Sequence, residues 1–156
     1  GSAVKYHHEL PGVNSRLDEL QAAFLRERLR VLETDNARRR EIARAYVEGM
    51  GSAPGLTLPE ISADAQSSWH LFVVRHAQRD ALAAGLARQG ITTLVHYPIA
   101  PHRQEAYAGS AAAMHALPLA EQLAAEVLSL PMDPTLEDES VQRVIAAVRA
   151  ACESLA

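Results

Sequence analysis

Three short segments carry residue types and spacings that could do chemistry. Gly12-Val13-Asn14-Ser15-Arg16 sets a glycine-containing loop ahead of an apolar pattern at helical spacing. Free backbone N–H groups and the positive end of a helix dipole make such a place a ready phosphate site. Asn14 would add an amide donor and Arg16 a charged fork of donors. A plain capped helix, its dipole answered by Asp18 and Glu19, accounts for the same residues and on spacing alone is the simpler reading. Lys5-Tyr6-His7-His8-Glu9 is the second segment. Adjacent histidines point to opposite faces of an extended strand, so His7 and His8 cannot share one metal from a strand. They read either as solvated loop histidines or as part of a surface loop that hydrogen-bonds a polar ligand. The third is His96-Tyr97-Pro98, with His102 shortly after, where a strand ends and a loop begins. No Cys, Asp or Glu stands at ligand-like spacing to complete a metal site with His96 and His102, and Pro98 and Pro101 also suit a turn.

The 156 residues suffice for one compact domain with a real core. A net charge of −4 offers no basic field to nucleic acid or an anionic membrane. Arg38, Arg39 and Arg40 then read as a solvated helix face rather than a phosphate-tracking patch. One cysteine, Cys152, excludes an internal disulfide and suits a reducing cytosol. No apolar run approaches the roughly 20 residues of a membrane span, and no signal peptide is visible. Dinucleotide, P-loop, zinc-protease and nucleophile-elbow motifs are absent.

The elements that must position these residues follow from periodicity. Residues 1–14 read as an exposed loop broken by Pro11 and Gly12. Ser15 offers an N-cap with Asp18 in the capping-box position. Leu17, Leu20, Phe24, Leu25, Leu29 and Leu32 recur at helical spacing, which weakens at Thr34-Asp35-Asn36 and resumes with Ile42, Tyr46, Val47 and Met50. One long helix or two nearly continuous ones are expected, ending at Gly49 or Gly51. A linker spans 51–68, with a possible short strand at Leu56-Thr57-Leu58. Trp69 to Arg75 is a central-strand candidate. Arg79 to Gln89 is a helix closed by Gly90, and Ile91 to Val95 a β-branched strand. The stretch 98–118 reads as irregular with one helical turn. Leu119 to Val127 is helical, and Leu128 to Leu130 a strand stopped by Pro131. A last helix capped by Thr135 buries Val141, Val144, Ile145, Val148 and Cys152. The order suggests an α/β fold, a few strands covered by helices.

The stretch GSAVKYHHELPGVNSRLDELQAA resembles the DegT-type sugar aminotransferases of the fold-type-I pyridoxal-phosphate superfamily. The blocks SSWHLFVVR, RDALAAGLARQGITTLVHYPIAPHRQEAY and PLAEQLAAEVLSLPMDP continue the match in order over nearly the whole chain. The G-x-N-S-R-L-D-E-L-Q-A-A and H-Y-P blocks are its most specific parts. The resemblance implies the small C-terminal domain of such an enzyme, residues 51–156, with a short mainly antiparallel sheet covered by helices. Residues 1–50 would form a substrate and dimer-interface loop and a long connecting helix. It implies that the Schiff-base lysine lies upstream of the G-x-N-S-R block. The only lysine, Lys5, is downstream of that place, so this chain alone should be inactive and should not retain pyridoxal phosphate. Gly1-Ser2 also matches the family's own sequence, which suggests a native internal start rather than a tag scar.

Further implications concern individual residues. Asn14 is similar to the residue that reaches the cofactor phosphate of a neighbouring subunit, with Arg16 assisting or bracing the loop. Tyr6, His7 and His8 look like a loop facing the sugar across the dimer. His96, Tyr97 and His102 would border the active site. The KYHHE variant resembles enzymes acting on dTDP-linked 3-keto-6-deoxyhexoses. The full-length protein would then be a cytoplasmic homodimer that moves an amino group from glutamate to a nucleotide-linked keto sugar by ping-pong transamination. The contrasting reading is a free-standing, non-catalytic binding module derived from the small domain.

Overall fold

The computed structural model describes residues 3–156; Gly1 and Ser2, read above as a native start, lie outside the described residues. Helix α1 (Glu19–Leu29) is followed almost at once by α2 (Leu32–Met50). Strand β1 (Phe72–Arg75) precedes α3 (Arg79–Arg88). Three 3-10 turns follow at Pro101–Arg103, Glu105–Tyr107 and Ala111–Met114. Helix α4 (Pro118–Glu126) runs straight into β2 (Val127–Leu130), and α5 (Asp138–Glu153) closes the chain. Among the described residues no helix is long and apolar enough to cross a membrane.

The two strands pair antiparallel, Phe72 opposite Leu130 and Arg75 opposite Val127. A single bridge from Thr57 extends the sheet beyond Arg75, and one from Leu94 extends it beyond Ser129. The expected short antiparallel sheet is therefore present, and the Leu56–Leu58 strand survives as one bridging residue. Phe72 and Val74 alternate inward along β1 and are fully buried. Ile42, Tyr46 and Met50, four residues apart on α2, meet them from one side. Val141, Val144, Ile145, Val148 and Cys152 form the buried stripe of α5, as the sequence indicates. Tyr46 sets its ring edge against Phe72 at 5.0 Å, and its hydroxyl donates to the Pro131 carbonyl at 2.9 Å. Burial pushes the Tyr46 phenol up to about 12. Helices α2 and α5 approach closely at Gly49, where an added Cβ would sit 2.7 Å from Ile145 Cγ2. Thus α2, grouped with residues 1–50 from the sequence, shares one core with residues 51–156.

Helix α3 ends as its sequence indicates. Gly90, at φ +73, lets its N–H reach the Ala87 carbonyl and the Ile91 N–H reach the Leu86 carbonyl. This is a Schellman closure with buried Ile91 as its apolar contact. Two other caps differ from expectation. Leu17 has φ +67, so residues 15–17 cannot form a first helical turn, and Asp18 caps α1 in place of Ser15. Its carboxylate accepts from the Gln21 N–H at 2.7 Å, while Gln21 Oε1 accepts from the Leu17 N–H at 3.0 Å. Thr135 does not cap α5 either: its hydroxyl and N–H both donate to Asp133, and Glu137 occupies the cap position.

The break between the first helices falls at Arg30-Val31 rather than at Thr34–Asn36. The Ile91–Val95 strand shrinks to the one bridge at Leu94 because β2 offers nothing more along that edge. Beside Ser129, the Val127 N–H goes to Leu123 and its carbonyl to Arg79. Pro131 has no N–H, and its carbonyl holds Tyr46. The arginine run is engaged within the fold: Arg38 reaches Asp138 and the Leu136 carbonyl, and Arg40 pairs with Glu33.

Candidate functional site

The loop at residues 4–14 lies against the segment 96–107, and a cleft of about 590 Å³ opens between them. Its polar groups come from His8, Asn14, Tyr97 and Gln104. Pro11, Val13, Ile99 and Tyr107 supply apolar wall. Such a mixture, mostly apolar with a few convergent polar groups, is what a small-molecule site requires.

The loop is built on a tight turn. The His7 N–H donates to the Val4 carbonyl at 3.1 Å, with Tyr6 at φ +69. The Tyr6 ring makes edge contacts with His96 at 6.2 Å and with Tyr97 at 5.3 Å. The three aromatic residues so brought together come from segments far apart in the sequence. Lys5 Nζ lies 4.9 Å from the Tyr6 ring centroid, a cation–π contact. His8 borders both the main cleft and a smaller hollow, where His7, Glu9 and Glu105 also lie.

On the other side, the Leu94–Ser129 bridge delivers His96 to the rim of the sheet. Its Nδ1 stands 2.8 Å from the hydroxyl of buried Ser129, which fixes the ring. The peptide between His96 and Tyr97 is cis. His102 does not line the cleft. It is buried, with Nε2 3.0 Å from Glu121 Oε1 on α4, and Arg103 binds the same oxygen at 2.8 Å. These two contacts, His102 first, hold the Glu121 carboxyl below the usual range. Within this chain, His102 anchors the first 3-10 turn.

Asn14 and Arg16 stand on irregular chain ahead of α1 rather than on a helix N-terminus. The dipole end is met by Asp18 and Glu19. Arg16 Nε donates to Asn14 Oδ1 at 2.9 Å, which leaves the Asn14 amide to present its N–H donors and Arg16 its terminal nitrogens. Both are exposed. The pair suits an anion such as a phosphate.

Sequence reasoning missed Gln104 and Ser129. Gln104 reads as a polar residue in an irregular stretch, yet it is buried and bonded to the backbone of residues 6 and 8. Its one sequence signal is its place inside the HRQEAY block.

Residues 1–149 match the DegT/DnrJ/EryC1/StrS aminotransferase family. The chain is 50% identical over 149 residues to dTDP-3-amino-3,4,6-trideoxy-alpha-D-glucose transaminase of Streptomyces venezuelae, covering 96% of this chain and 39% of that protein. It is 49% identical to dTDP-3-amino-3,6-dideoxy-alpha-D-galactopyranose transaminase of Aneurinibacillus thermoaerophilus, covering 95% of this chain and 40% of that one. Among solved structures, S. venezuelae DesV in complex with a ketimine intermediate superposes with a TM-score of 0.84 at 49% identity, over 98% of this chain and 41% of DesV. Bacillus subtilis NtdA with bound cofactor PMP superposes at 0.77 and 30% identity, over 97% of this chain and 36% of NtdA. The chain thus spans about two-fifths of the length of these relatives. With a family match over nearly its whole length, the chain belongs to the DegT/DnrJ/EryC1/StrS aminotransferase family.

Proposed function

We propose that the whole protein is a cytoplasmic, homodimeric nucleotide-sugar aminotransferase. It moves an amino group from glutamate to a dTDP-linked 3-keto-6-deoxyhexose, and these residues supply the sugar-facing part of its site. The observation that carries this reading is the cleft between residues 4–14 and 96–107, in a chain half identical to a dTDP-sugar transaminase. Pyridoxal phosphate, when bound, supplies the electron sink on which amino-group transfer depends.

The chain's own residues bind and orient. Asn14, braced by Arg16, donates to the cofactor phosphate of the neighbouring subunit. Tyr6, His7 and His8 face the sugar across the dimer, where imidazole and phenol groups hydrogen-bond hydroxyl and phosphate oxygens. His96 and Tyr97 border the sugar from the small domain, and His102 keeps that border in place through Glu121. Val13, Ile99 and Tyr107 give the cleft an apolar side that suits a deoxygenated sugar carbon. Residues 51–156 act as the small domain, with α2 connecting and completing its core, while the exposed apolar residues of α1 belong to the dimer interface. The isolated chain neither retains the cofactor nor turns over.

The test is product analysis with the full-length protein, glutamate and a panel of keto sugars. A dTDP-3-keto-6-deoxyhexose is expected to yield the 3-amino sugar with a higher kcat/KM than UDP-linked counterparts. Preference for a UDP-linked sugar, or no amination of either, would refute the reading.

A further inference from the structure

Gln104 lies between two 3-10 turns and belongs to both. Its N–H donates to the Pro101 carbonyl at 3.2 Å, and its carbonyl accepts from the Tyr107 N–H at 3.0 Å. The backbone is therefore held on both sides, and the first of those turns is anchored through His102 to Glu121. The side chain is only 7% exposed. Its carboxamide uses one donor and one acceptor on the distant loop: Nε2 donates to the Tyr6 carbonyl at 2.9 Å, and Oε1 accepts from the His8 N–H at 2.9 Å. The two bonds straddle His7 as a neighbouring strand would. The Ala106 N–H adds a third tie by donating to the His8 carbonyl at 2.8 Å.

This arrangement fixes which way the amide points, because only one orientation satisfies both backbone partners. The clamp also holds Tyr6 at a φ of +69, a conformation that a residue with a Cβ keeps only when its surroundings determine it. Tyr6 in turn contacts His96 and Tyr97, while His8 and Gln104 share the cleft wall. Losing the clamp would free His8 on the cleft wall and Tyr6, which packs against Tyr97 of that wall.

We propose that Gln104 is a positioning residue for the sugar-facing loop: its carboxamide fixes the backbone of residues 6–8, and through it the presentation of Tyr6 and His8 to the hexose. The proposal rests on reading the cleft as a nucleotide-sugar site. It makes the loop move with the small-domain segment 101–107 rather than with α1.

The test uses the full-length holoenzyme and two near-isosteric variants, Gln104→Glu and Gln104→Met. At about pH 8 a glutamate side chain keeps the acceptor for the His8 N–H but sets an oxygen against the Tyr6 carbonyl with no proton to donate. Calorimetric binding of dTDP-glucose is expected to weaken roughly tenfold in both variants. Binding of dTDP, which lacks the hexose, is expected to be unchanged. Hydrogen exchange read by mass spectrometry should be slow at the His8 amide in the wild type and fast in Gln104→Met. Equal affinity of all three proteins for dTDP-glucose overturns the proposal. A wild-type enzyme that binds no dTDP-glucose overturns the reading of the site instead. The exchange comparison then decides the clamp by itself, and protection that persists in Gln104→Met overturns it.

Discussion

Removing the Tyr46 hydroxyl should weaken the fold at neutral pH and make it less sensitive to alkali. In Tyr46→Phe the ring keeps its place against Phe72, but the Pro131 carbonyl loses its donor at 2.9 Å. A buried carbonyl left without its partner costs about 1–2 kcal/mol. For a chain of this length that corresponds to a fall in Tm of roughly 3–6 °C. The alkaline behaviour has the opposite sense. The phenol is fully buried and its ionisation is pushed up from the ordinary 10.0 to about 12. The raised value means that the contribution is complete below the unfolded phenol's range and is lost as pH rises toward the folded one. Only the unfolded chain ionises in that interval, so the wild type loses up to roughly 2–3 kcal/mol there. The phenylalanine ring of the variant cannot ionise. The stability gap should therefore close, and even reverse, between about pH 9 and pH 12. Urea unfolding of both proteins across that range measures the gap directly, and the other tyrosines cancel in the difference. A gap that stays constant through about pH 11 would refute the reasoning.

Three further outcomes follow from other parts of the molecule. In the full-length enzyme, Asn14→Ala should raise the cofactor dissociation constant by the equivalent of roughly 1.5–3 kcal/mol, with the circular dichroism spectrum unchanged; an unaltered constant counts against the phosphate contact. Gly49→Ala should destabilise by about 1–2 kcal/mol despite its better helix propensity, because its Cβ meets Ile145, and in an Ile145→Ala background, which removes the clashing γ and δ carbons, the same substitution should cost less in urea unfolding. On α1, Leu20, Phe24, Leu25 and Leu29 are all exposed, so the chain should sediment as a dimer at high micromolar concentration, and Leu20→Glu/Phe24→Glu as a monomer. Monomeric behaviour of both refutes an interface on α1.

Much of the fold was legible because the α5 stripe, the α3 closure at Gly90 and the β1 run are local patterns. What was not legible depended on distant partners. The Ile91–Val95 segment has strand composition, but its pairing edge is occupied by Tyr46, Arg79 and a proline, none of them near it in sequence. Ser15 and Thr135 have good cap chemistry, and both lose to an acidic residue whose geometry the neighbouring backbone selects. The site divides in the same way. Asn14, Tyr6 and the histidines stood out by residue type, and the family resemblance gave them roles. Gln104 and Ser129 look ordinary until residues more than thirty positions away come within hydrogen-bonding distance.

The central claim is that this chain carries the sugar-facing part of an aminotransferase site and takes its catalytic lysine from elsewhere. The most direct measurement compares the isolated chain with the full-length protein after incubation with pyridoxal phosphate and reduction with borohydride. Intact mass and turnover of glutamate with the dTDP-linked keto sugar are then recorded for both. The account predicts a stoichiometric adduct and turnover for the full-length protein, with the adduct outside these residues, and neither for the isolated chain. A stoichiometric adduct on Lys5 of the isolated chain, accompanied by turnover, would contradict it.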